Sequence, residues 1–171
     1  AYMPVQDLGN AFSVFVAQNH GAGLHQRIKS GIKQTLASTA VFCAVISLLV
    51  CLFAEPLMKL FVDGSSVQTV AVGAEYLRTE GACYIGIGIL FMMYGYYRAV
   101  NKPFMSVVLT VISLGIRVVL ANVLSAVPEI GVFGIWISIP IGWFLADSAG
   151  AAYFALRERK RYSTAERVSG K

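Results

Sequence analysis

Charge is scarce in this sequence. Asp, Glu, Lys and Arg together make up 13% of 171 residues, about half the share usual in soluble domains. Apolar residues make up 57%, and the mean hydropathy is +0.67. A soluble chain of this length has no interior large enough to hide so much apolar surface, so lipid must be the solvent for much of it. No charged residue occurs in 35–54, 81–97, 103–116 or 130–146. The third run continues past Arg117 alone to Pro128, and the fourth past Asp147 alone to Leu156. A hydrocarbon core roughly 30 Å thick needs about 20 helical residues, which all four runs supply. Their apolar residues are continuous rather than alternating, which excludes a β-barrel and leaves helices.

Other absences narrow the function. There are three cysteines, Cys43, Cys51 and Cys83, all inside apolar runs. The first two lie about 12 Å apart along a helix, too far to share a bond or a metal, so all three read as small packing residues. His20 and His25 are five apart, which on one helix puts them on different faces. No cluster of His, Cys, Ser or acidic residues stands at metal or triad spacing, so an intramembrane enzyme, a metal site and a cofactor site are not expected. There is no basic n-region followed by a clean apolar segment, so the start is no signal peptide. The stretch 1–19 instead reads as the latter part of a helix, so the chain is expected to be a fragment. The net charge of +5 does not point to nucleic acid, because the basic residues fall where membrane topology places them.

That placement is regular. Of 14 Lys and Arg, 11 lie in the first connection (Arg27, Lys29, Lys33), the third (Arg98, Lys102) and the tail. The second connection is acidic on balance and the fourth has no basic residue. The alternation predicts a multi-pass protein of the cell (inner) membrane with those basic segments and the C-terminus cytoplasmic. The expected helices are 1–19 (partial), 33–55, 67–99, 103–127 and 132–156, forming one bundle over 1–156, followed by a basic cytoplasmic tail over 157–171. The fold class is thus all-α, with four complete transmembrane helices and one partial one. Residues 20–34 space Leu24, Ile28 and Ile32 four apart among basic residues, the pattern of a short amphipathic helix on the inner leaflet.

Charges inside the membrane are costly and suggest function by default. Three are candidates. Arg117 sits roughly 20 Å above the inner face, Asp7 roughly 18 Å and Asp147 about 13 Å. The matching depths predict an Asp7–Arg117 pair or shared polar cavity, with Asp147 as the reserve partner. Gln6, Asn10 and Asn122 are expected to line that cavity or to hydrogen-bond between helices. These residues can serve ion or substrate binding, but an Arg–Asp pair can simply lock two helices together, and that structural role is the more expected one for Asp7. In the last helix, Gly134, Ser138, Gly142, Ala146 and Gly150 form a small-residue stripe along which another helix can approach, with Pro140 as a point of bending.

Several motifs together resemble one family. Residues 15–22 (FVAQNHGA) resemble the (V/A)xQ–x–x–GA signature closing the second helix of each lobe in MATE (multidrug and toxic compound extrusion) transporters. Residues 54–57 (AEPL) with Phe61 resemble the end of a lobe's third helix. Residues 76–78 (YLR), then Arg98 and Pro103, resemble its fourth, and 131–136 (GVFGIW) the entry to its sixth. The resemblance covers nearly the whole chain. It implies a twelve-helix, two-lobe fold of which this chain supplies part of helix eight through helix twelve, most of the C-lobe, with the N-lobe as its missing partner. It also implies secondary antiport of small organic cations or amphipathic drugs against Na⁺ or H⁺. Two alternatives stand beside that function: a lipid-linked precursor flippase of the same superfamily, and an accessory membrane subunit. One departure concerns the ion. Some branches carry an acid within the tenth helix about three turns before its exit arginine, whereas here 84–89 reads YIGIGI and the exit reads RAVNKP.

Overall fold

The computed structural model describes residues 3–62 and 66–158. Among them every regular element is helical: α1 (Met3–Gly21), α2 (His25–Leu52), α3 (Ala54–Lys59), α4 (Val67–Ala82), α5 (Tyr84–Ala99), α6 (Pro103–Ser125) and α7 (Val132–Tyr153), the last running into a π-helical turn, Phe154–Glu158. Three helical segments are long and apolar enough to cross a membrane: His25–Leu52, Pro103–Ser125 and Val132–Arg157. The first two have mean hydropathies of 2.4 and 2.3, yet only 11% of either is buried. Val41, Val45 and Leu48 of α2, and Val107, Val111 and Val118 of α6, all face outward. Apolar faces this long are tolerated where lipid covers them.

The helix expected over 67–99 is two helices of 16 residues each. They meet at Cys83, whose backbone (φ −103°, ψ 14°) leaves the α region for one residue. A break in a membrane helix frees carbonyls that water cannot satisfy. Here the Ser47 hydroxyl of α2 donates to the Gly81 carbonyl. No proline marks the break; Gly81, Gly86 and Gly88 flank it.

The amphipathic segment expected to lie apart on the inner leaflet is instead continuous with the following span. α2 starts at His25, after a turn in which Gly23 takes φ +70°, a left-handed conformation that glycine adopts without steric cost. Ile28 is fully buried and Ile32 packs beside it, so their stripe faces protein. The turn also brings His20, at the end of α1, and His25, at the start of α2, to ring centroids 6.1 Å apart; they lie on two helices, not on different faces of one. The α5–α6 turn uses Asn101 at φ 59°, a conformation asparagine tolerates, and Pro103 opens α6 where its missing N–H costs nothing.

Two contacts set the bundle. The small-residue stripe of α7 is buried along its length and packs on α6: a Cβ on Gly134 would press into Leu124, and one on Gly142 into the Ser113 carbonyl. At the α1–α5 crossing, Gly9 and Gly95 bring backbone against backbone, so that a Cβ on Gly9 would lie 2.8 Å from the Phe91 carbonyl oxygen. The central apolar cluster joins Phe12, Val16, Leu90, Tyr96 and Trp143 from α1, α5 and α7. Tyr97 closes it by donating a buried hydrogen bond of 2.7 Å to the Gly150 carbonyl.

Candidate functional site

Polar and charged groups gather at three places. The largest is a cavity of about 720 Å³ toward the end of the bundle that carries α3, with walls from α4, α5, α6 and α7. Glu80 of α4 is half-buried in it, and one of its carboxylate oxygens is buried without a hydrogen-bond partner among the described residues. Tyr76, Tyr84, Phe91 and Trp143 supply aromatic wall, and Arg117 of α6 faces the same space. The Arg117 charge reaches Glu80 electrostatically, but the two form no salt bridge; the ion pair described at this end is Arg78–Glu55, at 3.2 Å and half-exposed. α4 stops at Cys83, beside this cavity. Glu80 before the break and Tyr84 after it line one cavity, and Ser47 holds the broken end.

The second place is an open groove of about 330 Å³ between α1, α5 and α6. Gln6 and Asn10 line it with Tyr94, Arg98, Ser106 and Thr110. Arg98 donates to the Asn10 side-chain oxygen at 3.3 Å, and Thr110 donates to the Tyr94 hydroxyl at 3.3 Å.

The third place is a single residue. Asp147 of α7 is 7% exposed, and neither of its carboxylate oxygens has a hydrogen-bond partner among the described residues.

The structure thus separates residues that depth alone had grouped. Asp7 is exposed on α1, which packs on α5 and α2, whereas Arg117 belongs to α6, which packs on α7 and α5. No Asp7–Arg117 pair forms: equal depth does not place two residues on the same side of a bundle. Asn122 is exposed and donates to the Val118 carbonyl of its own helix at 2.7 Å. Glu80 is the residue that sequence reasoning missed. It stands one position before the charge-free run 81–97 and so reads as part of an outer connection. The available signal was the helical stripe of Val70, Ala74 and Leu77, which carries α4 through Glu80 into that run.

Comparison with known proteins decides the family. A family model described as MatE matches residues 1–123. The chain belongs to the MATE family. A solved structure described as the inward-facing conformation of a multidrug resistance MATE family transporter of the MOP superfamily superposes with a TM-score of 0.84 at 19% identity, covering 98% of this chain and 38% of that one; it shows that the fold is shared. Two curated proteins are similar along most of the chain. One is the probable multidrug resistance protein YoeA of Bacillus subtilis (strain 168), 23% identical over 95% of this chain and 35% of its own length. The other is the FAD transporter of Shewanella oneidensis (strain MR-1), 27% identical over 91% of this chain and 33% of its own length. The chain therefore spans about a third of the length of these relatives. As a MATE protein it is a multi-pass membrane protein and not an enzyme.

Proposed function

We propose that this chain forms part of the C-lobe of a secondary antiporter that exports organic cations or amphipathic drugs in exchange for Na⁺ or H⁺. The observation that carries the reading is Glu80 in its aromatic cavity. An acid set among Tyr76, Tyr84, Phe91 and Trp143 can attract an organic cation through its charge while the ring faces take up cation–π and apolar contact. The unpartnered carboxylate oxygen supplies an acceptor for that cargo. Alternating access then needs the cavity to open at one face at a time between two lobes, the second lobe being the proposed partner. The ends of the bundle carrying Arg27, Lys29, Arg98 and Lys102 are assigned to the cytoplasmic face by the positive-inside rule.

Arg117 in the same cavity favours a second reading, an anionic cargo. A lipid-linked diphosphate would suit it, and the Shewanella relative is named for a nucleotide cofactor. Glu80 offsets the arginine's charge, which places this reading second. Efflux of ethidium from cells expressing the protein from its own gene separates the two. Under the first reading Glu80→Gln lowers ethidium export about tenfold or more, the equivalent of roughly 1.4 kcal/mol of lost cation recognition, while Arg117→Gln leaves most of it. Export unchanged in Glu80→Gln sinks the cation reading.

A further inference from the structure

A different cavity, of about 290 Å³, lies toward the start of α2, away from α3. Phe12 of α1, Ile32 and Leu36 of α2, Met92 of α5, Ala151 of α7 and Phe154 of the π-helical turn line it. α2 packs on α1, α4 and α5, and α7 packs on α6, α5 and α4. The two helices reach this cavity from opposite sides without packing closely on each other, and α5 walls the gap between them. Both belong to segments long and apolar enough to cross a membrane. Nearly all of the wall is apolar, and the hydroxyl of Tyr97, whose ring lines it, is turned to the Gly150 carbonyl. A water needs about two to four polar partners to settle in a cavity, so this one favours hydrocarbon. Leu36 and Ala151 are exposed, so the cavity opens sideways, where lipid lies, and the flexible Met92 side chain lets its depth adapt to what enters.

The edge of this cavity is basic. Lys29 and Lys33 share a helix face with Ile32 and Leu36, all four falling within about 100° of arc. Lys29 stands about one turn before Ile32, and Leu36 about one turn beyond Lys33, so the charge lies nearer the helix end than the deepest apolar contact. On the other side Arg157 follows Phe154 by about one turn, toward the same end of the bundle. Lys33 and Arg157 are both exposed. No acid occurs between Asp7 and Glu55, so α2 has none to neutralise its lysines; Glu158 is the acid beside Arg157 in sequence. An apolar slot with cations at its outer edge matches an anionic amphiphile, chain inward and phosphate outward. We propose that this cavity binds one acyl chain of an anionic phospholipid whose phosphate is held by Lys33 and Arg157. A water takes about 30 Å³ of liquid volume and a methylene is of similar size, so about ten chain carbons fit and fill the gap between α2 and α7. A zwitterionic phospholipid carries a cation of its own beside the phosphate, which the basic edge repels. The site uses neither Glu80 nor Arg117 and stands independently of the antiport reading.

The test is native mass spectrometry of the purified full-length protein, released from detergent that holds equal amounts of phosphatidylglycerol and phosphatidylcholine with the same chains. The wild type is expected to retain one phosphatidylglycerol in preference to phosphatidylcholine. Lys33→Gln and Arg157→Gln should each weaken that retention about fivefold, the equivalent of the roughly 1 kcal/mol that one basic group contributes near an anionic lipid surface. Lys59→Gln, exposed on α3, should leave it unchanged. Ala151→Trp fills the gap without changing charge and should remove the bound lipid; if it fails to fold, Leu36→Trp at the exposed rim takes its place. Equal retention of the two lipids by the wild type overturns the proposal, as does undiminished retention in both charge variants or an equal loss in Lys59→Gln. Retention that falls in the charge variants but persists in the folded tryptophan variant also overturns it, because the lipid would then be held by its headgroup at the surface alone.

Discussion

The α1–α5 crossing allows a quantitative test of how this bundle is held. A Cβ on Gly9 would lie 2.8 Å from the Phe91 carbonyl oxygen and 3.0 Å from its carbon, where ordinary contact begins at 3.4 Å. The obstacle is helix backbone, which cannot rotate aside, so Gly9→Ala must push α1 and α5 apart by several tenths of an ångström. Overpacking of that kind costs about 1–3 kcal/mol. Against it stands the gain of up to about 1 kcal/mol from replacing glycine by alanine in a helix. Gly115 of α6 isolates the second effect, because a Cβ there meets nothing within 4 Å. The difference between Gly9→Ala and Gly115→Ala is therefore the overpacking alone. Gly9→Ala should be about 1–3 kcal/mol less stable than Gly115→Ala, read as a lower unfolding temperature in the same detergent scan. Equal unfolding temperatures would refute the claim that backbone contact sets this crossing.

Other outcomes follow from single contacts. Tyr97→Phe removes the hydrogen bond to the buried Gly150 carbonyl and should destabilise the bundle by about 1–2 kcal/mol, read from the same scan. The Arg78–Glu55 pair is about half exposed at both ends, so a double-mutant cycle with alanine should return an interaction of about 0–1 kcal/mol that vanishes in high salt. A larger, salt-insensitive value would mean that the surroundings of Arg78 on α4 are more enclosed than the structure shows.

Helix content was readable because it is a one-dimensional property. The charge-free runs led directly to α2, α6 and α7, with α6 starting at Pro103 and α7 at Val132. The four-residue stripe from Gly134 to Gly150 predicted a close helix approach, and α6 makes it. Two local features escaped. The break at Cys83 carries no proline and depends on Ser47 of α2 to satisfy a freed carbonyl, a partner 34 residues away along the chain. The junction at 22–24 hides in an amphipathic pattern whose apolar side, Ile28 and Ile32, turned out to face protein.

The sites divide along the same line. By itself the sequence determined that the chain is helical, that it lives in lipid and that a few charges enter the membrane, because hydropathy and charge act residue by residue along the axis of each helix. Which of those charges meet was decided by tertiary structure. Depth put Asp7 beside Arg117, but Gly9 and Gly95 fasten α1 to α5, the small-residue stripe fastens α6 to α7, and the two charges end on different sides. The same packing sets Glu80 and Arg117 on one cavity and buries Asp147 without a hydrogen-bond partner among the described residues. Position around the bundle depends on which helix faces fit closely, and that is a property of pairs of helices rather than of any one stretch of sequence.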